Sequence, residues 1–268
     1  MILPFLTLSA ALAVPSPAVD MTRPPEVAAM RAVKLPPRSA WRLKNGLSVV
    51  FVEDRRMPLI TARLSLPGGQ AAFAAEDAGL ADALAELLTD GTTRRTSKQI
   101  AEAAELFGGS IVISAKADAI VANAAALADK VGPMAALLSE IVREPSFPEA
   151  EVALRMANMK EELAASRAES GFLASTIYHD KIFQGHPYAV TRPTDASIAR
   201  LTRERVVAAH KRLFTPRGAV LVLVGDVSKT KAEALVVKTF GSWTGGPAAI
   251  DPPPVATAIK ERVVYLHD

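Results

Sequence analysis

Two hydrophobic periodicities alternate along this chain, and their order constrains the fold more than any other property. Residues 47–53 and 60–66 alternate between apolar and polar positions around a turn at 55–58, which predicts a β-hairpin ended by Pro67-Gly68-Gly69. Residues 79–89 and 97–106 instead carry apolar side chains at helical spacing. Gly108-Gly109 breaks the chain before two short strand candidates, 110–114 and 120–125. Helices are predicted over 127–142, 149–169, 172–183 and 202–213, with Pro148 placed where a helix begins. Residues 219–225 are almost continuously apolar and read as a buried strand, and 229–240 as a further helix. The order β-β-α-α-β-β-α-α-α-α-β-α predicts an α+β architecture: an antiparallel or mixed sheet with helices packed on one face.

A chain of 268 residues that is 50% hydrophobic and 22% charged can bury a substantial core. Its formal charge of +3 comes from scattered Lys and Arg without a long basic block, and few aromatics accompany them, so no nucleic-acid partner is expected. The absence of cysteine excludes disulfides, thiolate zinc sites and thiol nucleophiles. Residues 1–20 hold an apolar run from Ile2 to Val14 followed by small residues and prolines, and read as a signal peptide or apolar leader without a basic start. That predicts a periplasmic or secreted protein. No later segment is apolar over the ~20 residues that a membrane span needs. Residues 21–40 are a Pro-rich linker, 41–245 the folded domain, 246–259 a second linker, and 260–268 alternate like the first strand of a truncated second domain.

The helix within Gly79-Leu80-Ala81-Asp82-Ala83-Leu84-Ala85-Glu86-Leu87-Leu88-Thr89-Asp90-Gly91-Thr92 sets Asp82 and Glu86 on one face at i and i+4. The run resembles the zinc helix of the insulinase and pitrilysin family, which includes the mitochondrial processing peptidases. There it reads Gly-Leu-Ala-His-Phe-Leu-Glu-His, then apolar residues and Gly-Thr. The inverted motif His-x-x-Glu-His puts two imidazoles on one Zn²⁺ with the Glu as general base. Here Asp82 and Glu86 stand at the two His positions and Ala85 at that of the base. Further segments resemble the family in order: Leu43-Lys44-Asn45-Gly46-Leu47, Phe107-Gly108-Gly109-Ser110, Glu144-Pro145-Ser146-Phe147-Pro148, Gly185-His186-Pro187-Tyr188, Phe214-Thr215-Pro216 and Val224-Gly225-Asp226-Val227. Residues 41–245 thus resemble the N-terminal domain of an insulinase-like, mitochondrial processing peptidase-like zinc metallopeptidase with a degenerate motif. The family's third ligand, a Glu on a later helix, falls on Glu162 in Lys160-Glu161-Glu162-Leu163. The plainer reading is that Glu161 and Glu162 are solvated helix charges.

The resemblance implies no catalytic residues at the degenerate positions Asp82, Ala85 and Glu86, and no bound metal. The residual ligand set, Glu162 with Asp82 and Glu86, offers three oxygens that suit Ca²⁺, Mg²⁺ or Mn²⁺ better than zinc. Without a metal, three close carboxylates repel, so at least one should have a raised pKa or a Lys or Arg partner. The implied role is that of a non-catalytic subunit of a heterodimeric zinc peptidase, contributing chamber wall and peptide binding. Zinc would then sit in a homologous partner subunit with an intact His-x-x-Glu-His, and peptides would be the substrates. The alternative is a stand-alone peptide-binding or scaffold protein. A third reading, an active metalloendopeptidase with a rearranged metal site, has no proton acceptor at Ala85, so activity of this chain alone is not expected. His179, His186, His210 and His267 form no pair at helical spacing, and His186 in its Gly-His-Pro turn reads as a structural loop residue.

Overall fold

The computed structural model describes residues 36–190 and 192–246. One mixed sheet contains β1 (Arg38–Arg42), β2 (Ser48–Glu53), β3 (Leu59–Pro67), β4 (Ser110–Ala115), β5 (Ala119–Leu127) and β6 (Val220–Gly225), in the spatial order β1-β2-β6-β3-β5-β4. The α-helices among the described residues are α1 (Leu80–Leu87), α2 (Ser97–Leu106), α3 (Val131–Arg143), α4 (Glu149–Arg167), α5 (Ser170–Ile182), α6 (Asp195–Ala199), α7 (Arg203–Leu213) and α8 (Lys229–Phe240).

Strand alternation assigns one face of the sheet to the core. On β3, Ile60, Ala62, Leu64 and Leu66 are buried while Leu59, Thr61 and Arg63 point the other way. Val49 and Phe51 of β2 and Leu221 and Leu223 of β6 continue the buried face. Helices α1, α3 and α8 lie against β4, β5 and β2, adding Leu84, Leu138, Ile141, Val236 and Phe240 to one hydrophobic core. The expected α+β architecture, a mixed sheet with helices on one face, is the one found.

The hairpin expected from 47–53 and 60–66 does not form. β6 lies between those strands, parallel to β2 and antiparallel to β3, with Val50 opposite Val222 and Leu64 opposite Leu221. Local alternation favours pairing consecutive strands, but the near-continuous apolar run of β6 gains most from an inner position, where neighbours on both sides shield even its outward valines. The sheet also begins at Arg38, inside the stretch read as linker, and β5 runs to Leu127, where a helix was expected to start. Helix α6 was not foreseen; Thr194 and Ser197 close it with a reciprocal capping box. The leader at 1–20, the linker before residue 36, the second linker beyond Gly246 and the strand at 260–268 lie outside the described residues.

Two of the motif segments have structural uses. The Asn45 Nδ2 donates to the carbonyls of Phe240 and Trp243 at 2.7 and 2.9 Å, tying the Asn-Gly turn before β2 to the end of α8. Phe147 inserts its ring into the core from a backbone with φ of 48°, and Arg203 donates to the carbonyls of Phe147 and Ser146 at 2.6 and 3.0 Å.

Candidate functional site: a guanidinium among three degenerate positions

Helix α1 starts from Gly79, whose φ of 90° lies in the left-handed region. A Cβ at this position would stand 2.8 Å from Met159 Cε and 3.0 Å from Pro193 Cβ, so glycine lets α1 close against α4. From Leu80 to Leu87 every residue except Asp82 and Glu86 is buried, as befits a helix that is apolar nearly all round. Ala85, where the resemblance places the family's general base, is 1% exposed and offers no group that can take a proton.

The two helices meet in an ion-pair cluster centred on Arg155 of α4. Its Nη1 lies 2.9 Å from Glu86 Oε2 and 3.0 Å from Glu162 Oε1, and its Nη2 donates to Glu162 Oε2 at 3.2 Å. The Arg155 side chain is 13% exposed, against 49% for Glu86 and 60% for Glu162. One guanidinium therefore bridges two of the three positions at which the family resemblance places ligands. The third, Asp82, accepts from Gln70 Nε2 at 3.3 and 3.4 Å.

Burial pushes the Asp82 carboxyl above the ordinary carboxylate range, against the Gln70 hydrogen bond and the attraction of Arg155, Arg192 and Lys116. Glu86 is likewise raised by burial; Arg155 opposes the shift, and Glu162, Asp82 and Asp90 add to it by repulsion. Burial also raises Asp90, with Glu151 adding to the shift and Arg155 opposing it. The sequence expectation of a raised carboxylate or an Arg partner is met in both forms.

These residues do not fit the zinc that the family's intact motif holds. The donor set holds carboxylates and no imidazole, whereas a catalytic zinc of this kind takes two imidazoles beside its one carboxylate. A fixed cation stands between Glu86 and Glu162. Among the described residues, no three His, Asp or Glu side chains are grouped so as to hold a metal ion.

Beside the cluster runs a groove of about 430 Å³ between α1, α4 and β4, with Arg155, Glu86, Asp90 and Glu151 among its polar walls and Val112 and Leu154 among its apolar ones. β4 is an edge strand of the sheet, so its outer backbone groups face no neighbouring strand among the described residues. The histidines lie elsewhere. His210 stacks on Phe214 and passes its Nε2 to the carbonyl of Val142 at 2.9 Å. His186 caps a short turn by accepting from the Tyr188 amide at 3.1 Å, the loop role expected of it. His179 packs in the same aromatic group, against Phe183, and His267 is outside the described residues. Sequence reasoning missed Arg155 and Gln70. The available signal for Arg155 was its place two helical turns before Glu162, on the same face.

The model of the insulinase family, peptidase family M16, matches residues 48–192, more than half of the chain, and that of the peptidase M16 inactive domain matches residues 200–268. An uncharacterized zinc protease of Rickettsia felis is 22% identical over 76% of this chain and 50% of its own length. A probable mitochondrial-processing peptidase subunit beta of Schizosaccharomyces pombe is 24% identical over 85% of this chain and 52% of its own. The chain thus spans about half the length of the curated relatives it matches. A crystal structure of a peptidase M16 inactive domain from Pseudomonas fluorescens superposes with a TM-score of 0.78 at 26% identity, over 84% of this chain and 55% of that one. With the family model matching more than half of its length, the chain belongs to the insulinase family of peptidases.

Proposed function

We propose that this chain is the non-catalytic subunit of a heterodimeric insulinase-like zinc peptidase, forming part of the chamber wall and helping to hold peptide. One observation carries the reading: the Arg155 guanidinium pairs with Glu86 and Glu162 at positions where an active homologue would hold metal. With Ala85 at the position of the base, water activation falls to a homologous partner with an intact His-x-x-Glu-His, which also holds the zinc.

What this chain keeps is a surface suited to extended peptide. The edge of β4, which faces no neighbouring strand among the described residues, offers backbone donors and acceptors for strand addition. Val112 and Leu154, 59% and 56% exposed, offer apolar contact along the same groove. The leader-like residues 1–20 support export, which puts the pair in the periplasm or outside the cell.

The test is affinity purification of the tagged full chain from its own cells, followed by an assay on an unfolded peptide. The expected result is co-purification of a homologue with the intact motif, with cleavage by the pair and none by this chain alone. Chelator-sensitive cleavage by this chain alone would overturn the reading, as would a monomer with no homologous partner.

A further inference from the structure

We propose that Arg155 is a built-in cation standing in for the family's metal, and that its presence keeps this position closed to zinc even when both histidines are restored. The guanidinium is held at both ends of its fork. Nη1 reaches Glu86 on α1 and Glu162 on α4, and Nη2 makes a second bond to Glu162, so the pairing with Glu162 is bidentate. The stem is packed: the side chain is 13% exposed, and its Nε is buried with no hydrogen-bond partner among the described residues. Arg155 and Glu162 lie seven residues apart on α4, which is two turns and the same helix face.

Such a group does two of the metal's jobs. It joins α1 to α4 through their carboxylates, and it balances negative charge that Asp82, Glu86 and Glu162 would otherwise leave facing one another. It also opposes the metal's return. An incoming divalent cation meets a fixed positive charge within bonding distance of the carboxylate it needs, and Glu162 has both oxygens already engaged. Restoring imidazoles on α1 removes only the Glu86 contact and leaves the Arg155–Glu162 pair intact.

The inference takes the identity of the three positions from the functional reading above. Its test measures metal on this chain alone, so failure to find a partner peptidase leaves it standing. In the full 268-residue chain, Asp82→His is combined with Glu86→His, with and without Arg155→Ala. Zinc is measured by plasma mass spectrometry after dialysis, and folding by circular dichroism. The expected result is less than about a tenth of an equivalent in the double variant and roughly one equivalent in the triple variant, whose two imidazoles and one carboxylate form a familiar zinc set. About one equivalent in the double variant would overturn the proposal, since Arg155 would then be no barrier. So would a folded triple variant that takes up no more zinc than the double. If Arg155→Ala prevents folding, Arg155→Gln keeps the stem and a planar head without the charge, and the same outcomes decide.

Discussion

Replacing Gly79 with alanine probes how α1 is seated, and the structure sets the size of the effect. Gly79 has φ of 90° and ψ of −11° at the start of the helix. A residue with a Cβ loses about 1–2 kcal/mol in the left-handed region. The new methyl group also meets Met159 Cε at 2.8 Å and Pro193 Cβ at 3.0 Å. The thioether end of Met159 can swing aside at about 0.5–1.5 kcal/mol for an off-rotamer torsion, while the proline ring must be met by a small backbone shift. Together these come to about 1.5–3.5 kcal/mol, which lowers Tm by roughly 3–14 °C in a domain of this size. Urea unfolding followed by circular dichroism measures the loss. Repeating Gly79→Ala on a Met159→Ala background separates its parts: the backbone cost of about 1–2 kcal/mol and the Pro193 contact stay and the Met159 part vanishes, leaving a coupling of about 0.5–1.5 kcal/mol. A Gly79→Ala variant within about 0.5 kcal/mol of the parent, or a cycle without coupling, would refute the reasoning.

Two other perturbations follow from the electrostatics and the turn geometry. Because burial raises the folded-state pKa of Asp82, its contribution to stability is fully present below the unfolded carboxylate value near 4 and is lost as pH rises through the folded value. Asp82→Asn, which can still accept from Gln70, should match the parent's Tm at acid pH and exceed it at pH about 7–8; a variant less stable than the parent at the upper pH would show that the charge is favourable. Arg203→Ala removes two charge-assisted bonds to the carbonyls of Ser146 and Phe147 and should cost about 1.5–3 kcal/mol in denaturant unfolding. A loss under about 0.5 kcal/mol would mean that the Pro-Ser-Phe-Pro turn holds itself.

Much of the fold was legible because it is written in local signals. The spacing over 97–106 is reproduced residue for residue by α2, whose Thr96–Gln99 capping box marks its start, and β6 lies within one residue of its predicted span. Strand neighbours were not legible. Nothing near residues 53–60 reveals that a strand from beyond residue 219 will separate β2 from β3, because the competition is settled by burial across the whole sheet. The site divides in the same way. Motif resemblance singled out Asp82, Ala85, Glu86 and Glu162, and charge repulsion called for a raised pKa or a Lys or Arg partner among the carboxylates. Arg155 itself was hidden in a helix rich in charges, where only the packing of α4 on α1 distinguishes a buried guanidinium from a solvated one.

The inner position of β6 also has a kinetic side. Thr61 and Val224, joined by a side-chain hydrogen bond across the β3–β6 pair, are 163 positions apart in sequence. At about 5–20 residues per second, a ribosome takes roughly 8–30 s to deliver the strand that must slip between β2 and β3. For that interval the nascent chain holds two alternating apolar segments, consecutive and unpaired on their inner edges, and their local pattern favours joining each other. Folding is then a contest between a hairpin available early and a central strand that arrives late, and a chain halted before Val220 would leave the sheet split down its middle.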